Sequence, residues 1–219
     1  STVVKYARVD GVVLEGLNGD FGVELPPWPA AVITGNDHFD ESLREKDISG
    51  LLGNFILANF VVKLDYRRRR MTLYDPAQFD PARHLGPEAH VLPVTRDSLP
   101  YVQVTVDDEI TGGAFFNTGA QQYFALSAWA AEAAGVDYEI ISIGTGMTIN
   151  GLTAFGLIEP GKIELDGLTI HPEERTHLEL LAPGEAPNPN RIASFGNAFF
   201  RHYVVTFDLF GGFYYIEEM

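Results

Sequence analysis

Gly53-Asn54-Phe55-Ile56-Leu57-Ala58-Asn59-Phe60-Val61-Val62-Lys63-Leu64-Asp65-Tyr66 returns 143 residues later as Gly196-Asn197-Ala198-Phe199-Phe200-Arg201-His202-Tyr203-Val204-Val205-Thr206-Phe207-Asp208-Leu209. The two stretches align without a gap. Gly, Asn, Val-Val and Asp are identical, and an aromatic residue precedes Val-Val in both. Self-similarity at one fixed offset marks a structural unit used twice. Each copy reads the same way. Leu51-Leu52-Gly53, and in weaker form Ser194-Phe195-Gly196, lead into a short helical turn and a β-branched strand. A tight reversal follows (Tyr66 to Arg70; Phe210 to Phe213), then an aromatic-rich strand (Met71 to Tyr74; Phe213 to Ile216). Asn54, Asn197, Asp65 and Asp208 recur in both copies, which predicts a structural role such as satisfying turn amides.

A fainter match lies upstream. Val9-Asp10-Gly11-Val12 resembles Leu165-Asp166-Gly167-Leu168 at an offset of 156. Asp-Gly between apolar residues is a hairpin signal. The larger offset gives the first copy about a dozen extra residues, placed at Pro26-Pro27-Trp28-Pro29 or within Asn36 to Asp47. The latter reads as a loop with a short polar helix, and Trp28 as a packed loop anchor.

The second copy is longer. Tyr101 to Val106 alternates as a strand, Asp107 to Gly113 reads as a turn, and the strand Ala114-Phe115-Phe116 delivers Asn117-Thr118-Gly119-Ala120. Ser127 is a plausible N-cap for a helix over Ala128 to Ala134, with Gly135 as its terminator. Segments 139–143 and 149–158 read as a hairpin with Gly144-Thr145-Gly146-Met147 at its tip. The segment Asp75 to Leu92 reads as the connection between copies.

Composition narrows the classes. The chain has 219 residues, 46% hydrophobic, with a formal charge of −15 and a pI near 4.6. So acidic a chain disfavours nucleic acid and anionic membranes as partners. Cysteine is absent, so there is no disulfide and no thiolate nucleophile or ligand. No run approaches the ~18 apolar residues of a membrane span. Arg67 to Arg70 reads as a solvated hairpin turn. The spacing of His171 and His177 does not suit a helix-borne metal pair, and His38 with Asp40 and Glu41 reads as a loop. No metal and no cofactor are expected.

With the repeat, the Asn-Thr-Gly-Ala loop and the disulfide-free composition in place, the chain resembles the retropepsin-like and pepsin-like aspartic proteases, specifically the bacterial two-lobed type. The resemblance implies a mainly β, acid-protease fold of closed β-barrel lobes with short helices. The family's lobe runs strand, turn, strand ending in Asp-Thr-Gly-Ala, helix, flap hairpin, strand pair, apolar-apolar-Gly, short helix, final hairpin. By that match, residues 92–219 are a complete second lobe, residues 77–91 a linker, and residues 1–76 the second half of a first lobe. Asp166 lies 49 residues beyond Asn117. The same spacing puts the first copy's active-site loop about 40 residues before Ser1. The expectation is a longer protein, or a separate N-terminal segment or second copy that completes the cleft. An upstream signal peptide would direct the protein to the periplasm or outside the cell.

The resemblance also assigns roles. Asn117 stands at the catalytic Asp position. Thr118 would hydrogen-bond across the lobe interface, and Gly119 would permit the sharp loop. Ala120, Gly144, Gly146 and Met147 would contact a peptide or protein substrate, the last three from the flap tip. An aspartic protease needs two facing carboxylates that share one proton and activate a water. An amide has no titratable proton near neutral pH and cannot act as general base. Three readings of Asn117 stand side by side: an engineered substitution that silences the enzyme, a natural pseudoprotease, or a coincidental Asn-Thr-Gly in an unrelated β-protein.

Overall fold

Asp65 and Asp208 each close a strand and turn the chain back on itself. The Asp65 Oδ1 accepts the Arg68 N–H at 2.8 Å, and the Asp208 Oδ1 accepts the Gly211 N–H at 2.6 Å. The expected turn-amide role of the repeated aspartates is thus seen in both copies. The computed structural model describes residues 3–9, 13–15, 22–24, 28–34, 53, 57–96, 99–148, 151–172, 175–179, 188 and 190–219, with the backbone alone at 3–34, 96, 147–148 and 151–153. The chain divides into two compact units, Ser1–Ile56 with Met147–Gly151, and Leu57–Gly146 with Leu152–Met219.

In the first unit, β1 (Val3–Val9) pairs antiparallel with β4 (Trp28–Thr34), and β2 (Val13–Glu15) pairs with β3 (Gly22–Glu24). Asp10-Gly11 lies outside the described residues. The hairpin signal implied that the flanking strands pair with each other; among the described residues β1 pairs with β4 and β2 with β3 instead. Trp28 and Pro29, expected in a loop, open β4, with Pro29 opposite Arg8. A two-stranded sheet has only edge strands, where proline is tolerated. Asn36 to Asp47 lies outside the described residues.

The second unit is built on one large sheet. Its strands are β5 (Val61–Asp65), β6 (Arg70–Tyr74), β7 (His90–Arg96), β8 (Pro100–Val106), β9 (Ile110–Phe116), β10 (Phe124–Ser127), β11 (Ser142–Thr148), β12 (Gly151–Ile158), β13 (Ile163–Leu165), β14 (Leu168–Ile170), β15 (Thr176–Glu179), β16 (Ala193–Phe195), β17 (Tyr203–Asp208) and β18 (Phe213–Glu218). They run in the order β11-β12-β15-β10-β16-β9-β8-β7-β18-β17-β5-β6, and β13 joins β8 to β14. Two short helices, α1 (Pro81–His84) and α2 (Ala128–Ala134), and a 3-10 turn at Phe199–Arg201 complete it. The fold is mainly β, a large mixed sheet with few and short helices.

Local chemistry explains most of these boundaries. The Asp166-Gly167 signal is realised as a two-residue turn between β13 and β14, with φ of 39° and 88°. Helix α2 ends at Gly135, whose φ of 75° is left-handed, and the Val136 N–H reaches back to the Ala131 carbonyl at 2.9 Å. Ser127 makes no side-chain cap. It is the last residue of β10, tied by its own N–H to the Ile192 carbonyl at 2.8 Å. The predicted turn over Asp107 to Gly113 is shorter than expected, because β9 already starts at Ile110. Gly112 and Gly113 belong to the strand: a Cβ on Gly112 would stand 2.7 Å from the Ile192 side chain, and one on Gly113 would strike the Asn190 carbonyl oxygen.

The repeat is also a symmetry. β17 pairs antiparallel with β5 through Val205↔Leu64, Thr206↔Lys63 and Phe207↔Val62. Lys63 and Thr206 hold the same place in the repeat, so the pairing maps onto itself when the copies are exchanged. An approximate two-fold axis therefore passes between them and relates hairpin β5–β6 to hairpin β17–β18. Beyond β6 the chain crosses to β7, carrying α1 on the way. Lys63 Nζ meets the His84 carbonyl at 3.1 Å and Glu217 at 2.6 Å, and the Gly86 N–H donates to Glu217 at 2.8 Å.

Candidate functional site

Phe116 ends β9 inside an aromatic cluster. Its ring centroid lies 5.2 Å from that of Phe195, 5.3 Å from Tyr214, 5.7 Å from Phe199 and 5.8 Å from Phe200. Burial of these rings fixes the strand that presents Asn117. The chain then leaves the sheet and returns as β10. Between the two runs β16, parallel to β9 and antiparallel to β10. The Asn117 loop therefore arches over the end of β16 at Phe195-Gly196-Asn197.

Backbone bonds hold the arch. The Asn117 N–H donates to the Phe195 carbonyl at 2.7 Å, the Asn197 N–H to the Ala120 carbonyl at 2.7 Å, and the Gly196 N–H to the Tyr123 carbonyl at 3.2 Å. Gly196 is required by this approach: a Cβ there would stand 3.0 Å from the Ala120 carbonyl oxygen and closer still to that of Gln122. Inside the loop the Ala120 N–H closes a turn onto the Asn117 carbonyl at 3.1 Å. The Asn117 Oδ1 accepts the Gly119 N–H, also at 3.1 Å. This is the local side-chain-to-backbone bond that Asn and Asp make best.

Asn117 and Ala120 are partly exposed, and Thr118 and Gly119 are exposed. Gly119 has no positive φ; an added Cβ would meet only the Asn117 Oδ1, at 3.3 Å. The first copy reaches the site through Tyr66. The Tyr66 hydroxyl donates to the Asn197 Oδ1 at 2.6 Å, and its ring stacks on Phe200 at 5.6 Å. The sequence presents Gly196 as part of the repeat and Asn197 as a recurring structural residue, without tying either to the Asn117 loop. The signal for their role was their position just after β16.

The hairpin differs from expectation. Gly144, Thr145, Gly146 and Met147 lie within β11, which runs to Thr148, and β12 begins at Gly151. The glycines serve an approach rather than a turn. A Cβ on Gly144 would stand 2.6 Å from the Phe155 ring, and one on Gly146 3.4 Å from it. On β12, Phe155 also stacks on His177 of β15, centroids 3.9 Å apart and 8° from parallel. Burial lowers the His177 imidazole from its ordinary range. His171 is elsewhere, its Nδ1 3.1 Å from the Gly161 carbonyl. Among the described residues no three His, Asp or Glu side chains converge as a metal site. No helix among them is long and apolar enough to cross a membrane.

No family model and no curated protein matches the chain. Solved structures similar to it include a retropepsin-like aspartic protease from Rickettsia conorii, 18% identical, over 60% of this chain and 99% of that one, with a TM-score of 0.41. They also include Basic 7S globulin from soybean, 12% identical, over 95% of this chain and 66% of that one, with a TM-score of 0.49.

Proposed function

We propose that the chain is an aspartic-protease-type protein that holds an extended peptide without hydrolysing it, with Asn117 in place of a dyad carboxylate. The observation that carries this reading is the Asn117 loop, pinned over β16 with the Asn117 Oδ1 taken by the Gly119 N–H. That bond leaves the amide nitrogen as the group able to donate to a peptide carbonyl. The loop is held by backbone hydrogen bonds to the end of β16, the kind of positioning a catalytic loop needs. What it lacks is a proton acceptor.

The second carboxylate of an active dyad would come from a separate N-terminal segment or a second copy, with Thr118 at the junction and Met147 from the flap. A natural pseudoprotease and an engineered, silenced enzyme share this geometry. The codon at position 117 separates them, since a genomic Asp codon marks the substitution as introduced. The test is the full-length gene product, as encoded and as Asn117→Asp, with peptide substrates at acidic and neutral pH. The Asn form should bind pepstatin or a peptide weakly and cleave nothing. The Asp form should show pepstatin-sensitive cleavage. Failure of the Asp form both to cleave and to bind pepstatin would remove the protease reading.

A further inference from the structure

Tyr66 breaks the symmetry of the repeat. At the offset of 143 its mate is Leu209, which has no hydroxyl. Tyr66 follows β5, Leu209 follows β17, and the two strands pair across the two-fold axis. The Tyr66 hydroxyl donates to the Asn197 Oδ1 at 2.6 Å. Exchanging the copies would ask Leu209 for the same bond to Asn54, and a leucine side chain cannot make it. The contact therefore serves the copy that carries Asn117.

Both ends of the Asn117 loop lead to this one side chain. At the far end, the Asn197 N–H donates to the Ala120 carbonyl at 2.7 Å, so the residue that receives the Tyr66 hydroxyl also holds Ala120. At the near end, the Tyr66 ring stacks on Phe200 at 5.6 Å and 17°, and Phe200 meets Phe116 edge-on at 5.8 Å. Phe116 is the residue before Asn117, and Phe200 is fully buried. Burial raises the Tyr66 phenol above its ordinary range. The hydroxyl thus keeps its proton and stays a donor from acidic to neutral pH. A leucine in its place would fill space against Phe200 and leave the Asn197 amide oxygen without this donor.

We propose that Tyr66 is a positioning residue for the Asn117 loop. Supplied by the first copy, it sets where the loop of the second copy stands, and through that how residue 117 meets a bound peptide. It acts through Asn197 and Phe200. The stack fixes the ring, and the hydrogen bond is directional, so the two contacts together define one place for the loop. Small displacements of such a loop weigh heavily on any chemistry it presents. The placement of the loop stands on this geometry alone; its effect on a peptide rests on the reading of the site given above.

The experiment compares two hydroxyl deletions in one hairpin. Tyr66→Phe keeps the stack on Phe200 and removes the donor. Tyr74→Phe removes a hydroxyl where the ring meets Phe79 and His84 instead, and is the control. Amide chemical shifts of the intact protein report loop placement independently of stability. Tyr66→Phe should move the Asn117, Gly119 and Ala120 signals and leave those of Leu92 and Tyr215 in place. Tyr74→Phe should leave all three loop signals in place. In the full-length Asn117→Asp form, Tyr66→Phe should lower kcat roughly tenfold with KM held within about twofold. Adding Asn197→Ala should lower kcat little further, because the two residues act as one unit. Unmoved loop signals in Tyr66→Phe would overturn the proposal, as would equal movement in Tyr74→Phe. So would a loss of stability alone, with loop signals and kcat unchanged, which is what a merely structural tyrosine gives. If the Asn117→Asp form cleaves nothing, the protease reading fails, and the loop signals still decide the role of Tyr66.

Discussion

Gly196 and Gly53 occupy the same place in the two copies, yet an added methyl group meets opposite surroundings. At Gly196 it would enter the contact distance of two backbone carbonyl oxygens, those of Gln122 and Ala120. At Gly53 nothing lies within 4 Å. Neither glycine has a positive φ that would penalise alanine by itself. Gly196→Ala must push the Asn117 loop off β16. Overpacking against backbone costs about 1–3 kcal/mol. Weakening the bonds from Asn117 to Phe195 and from Asn197 to Ala120 adds about 1 kcal/mol each if either is lost. The expected loss is therefore about 2–4 kcal/mol, or a urea midpoint lower by about 1–2 M for a slope near 2 kcal/mol per M. Gly53→Ala should stay within about 0.5 kcal/mol of the unaltered protein. Urea unfolding gives the stabilities, and hydrogen exchange at Asn117, Ala120 and Asn197 locates the damage. Equal costs at the two sites, or a Gly196→Ala protein with the loop amides still protected, would refute the reasoning that the loop rests on Gly196.

Tyr66→Phe keeps the stack on Phe200 and removes the hydrogen bond to Asn197; it should cost about 1 kcal/mol. A double-mutant cycle with Asn197→Ala should recover most of that as coupling. Burial holds the His177 imidazole below its ordinary value, so the unfolded chain takes up a proton that the folded chain refuses. The stability this contributes is full above about pH 6.5 and is lost as the pH falls through that value. His177→Phe, which retains an aromatic partner for Phe155, should flatten the pH dependence of urea unfolding in that window. Gly144→Ala should displace the Phe155 ring and open His177 to water, moving its titration by NMR back up toward the ordinary range. Asn117→Asp should fold as well as the unaltered chain, because a carboxylate accepts the Gly119 N–H as readily as the amide does; thermal unfolding measures this.

Much of the frame was legible because it rests on short-range chemistry. Asp166-Gly167 forces a two-residue turn, Gly135 ends a helix through its left-handed φ, and the recurring aspartates cap their own turns. The misreadings share one cause. In sequence Gly112, Gly113, Gly144 and Gly146 read as turn residues, although each lies in a strand against a distant group: Ile192, Asn190 or Phe155. A glycine looks the same in sequence whether it bends the chain or admits a neighbour. Likewise Asp10-Gly11 carried a hairpin signal, yet β1 and β2 take other partners.

By itself the sequence determined that a unit is used twice, that Asp166-Gly167 and the recurring aspartates turn the chain, and that Asn117 follows an apolar strand. Those facts follow from residue type and spacing along the chain. Only the tertiary structure decided what the repeat means. The antiparallel pairing of Lys63 with Thr206 turns a sequence offset into a two-fold axis, and the parallel insertion of β16 beside β9 gives the Asn117 loop its seat. Both are contacts between residues far apart in the chain, set by burial of the aromatic cluster and the satisfaction of backbone amides. Neither leaves a local mark that a reader of the sequence could find.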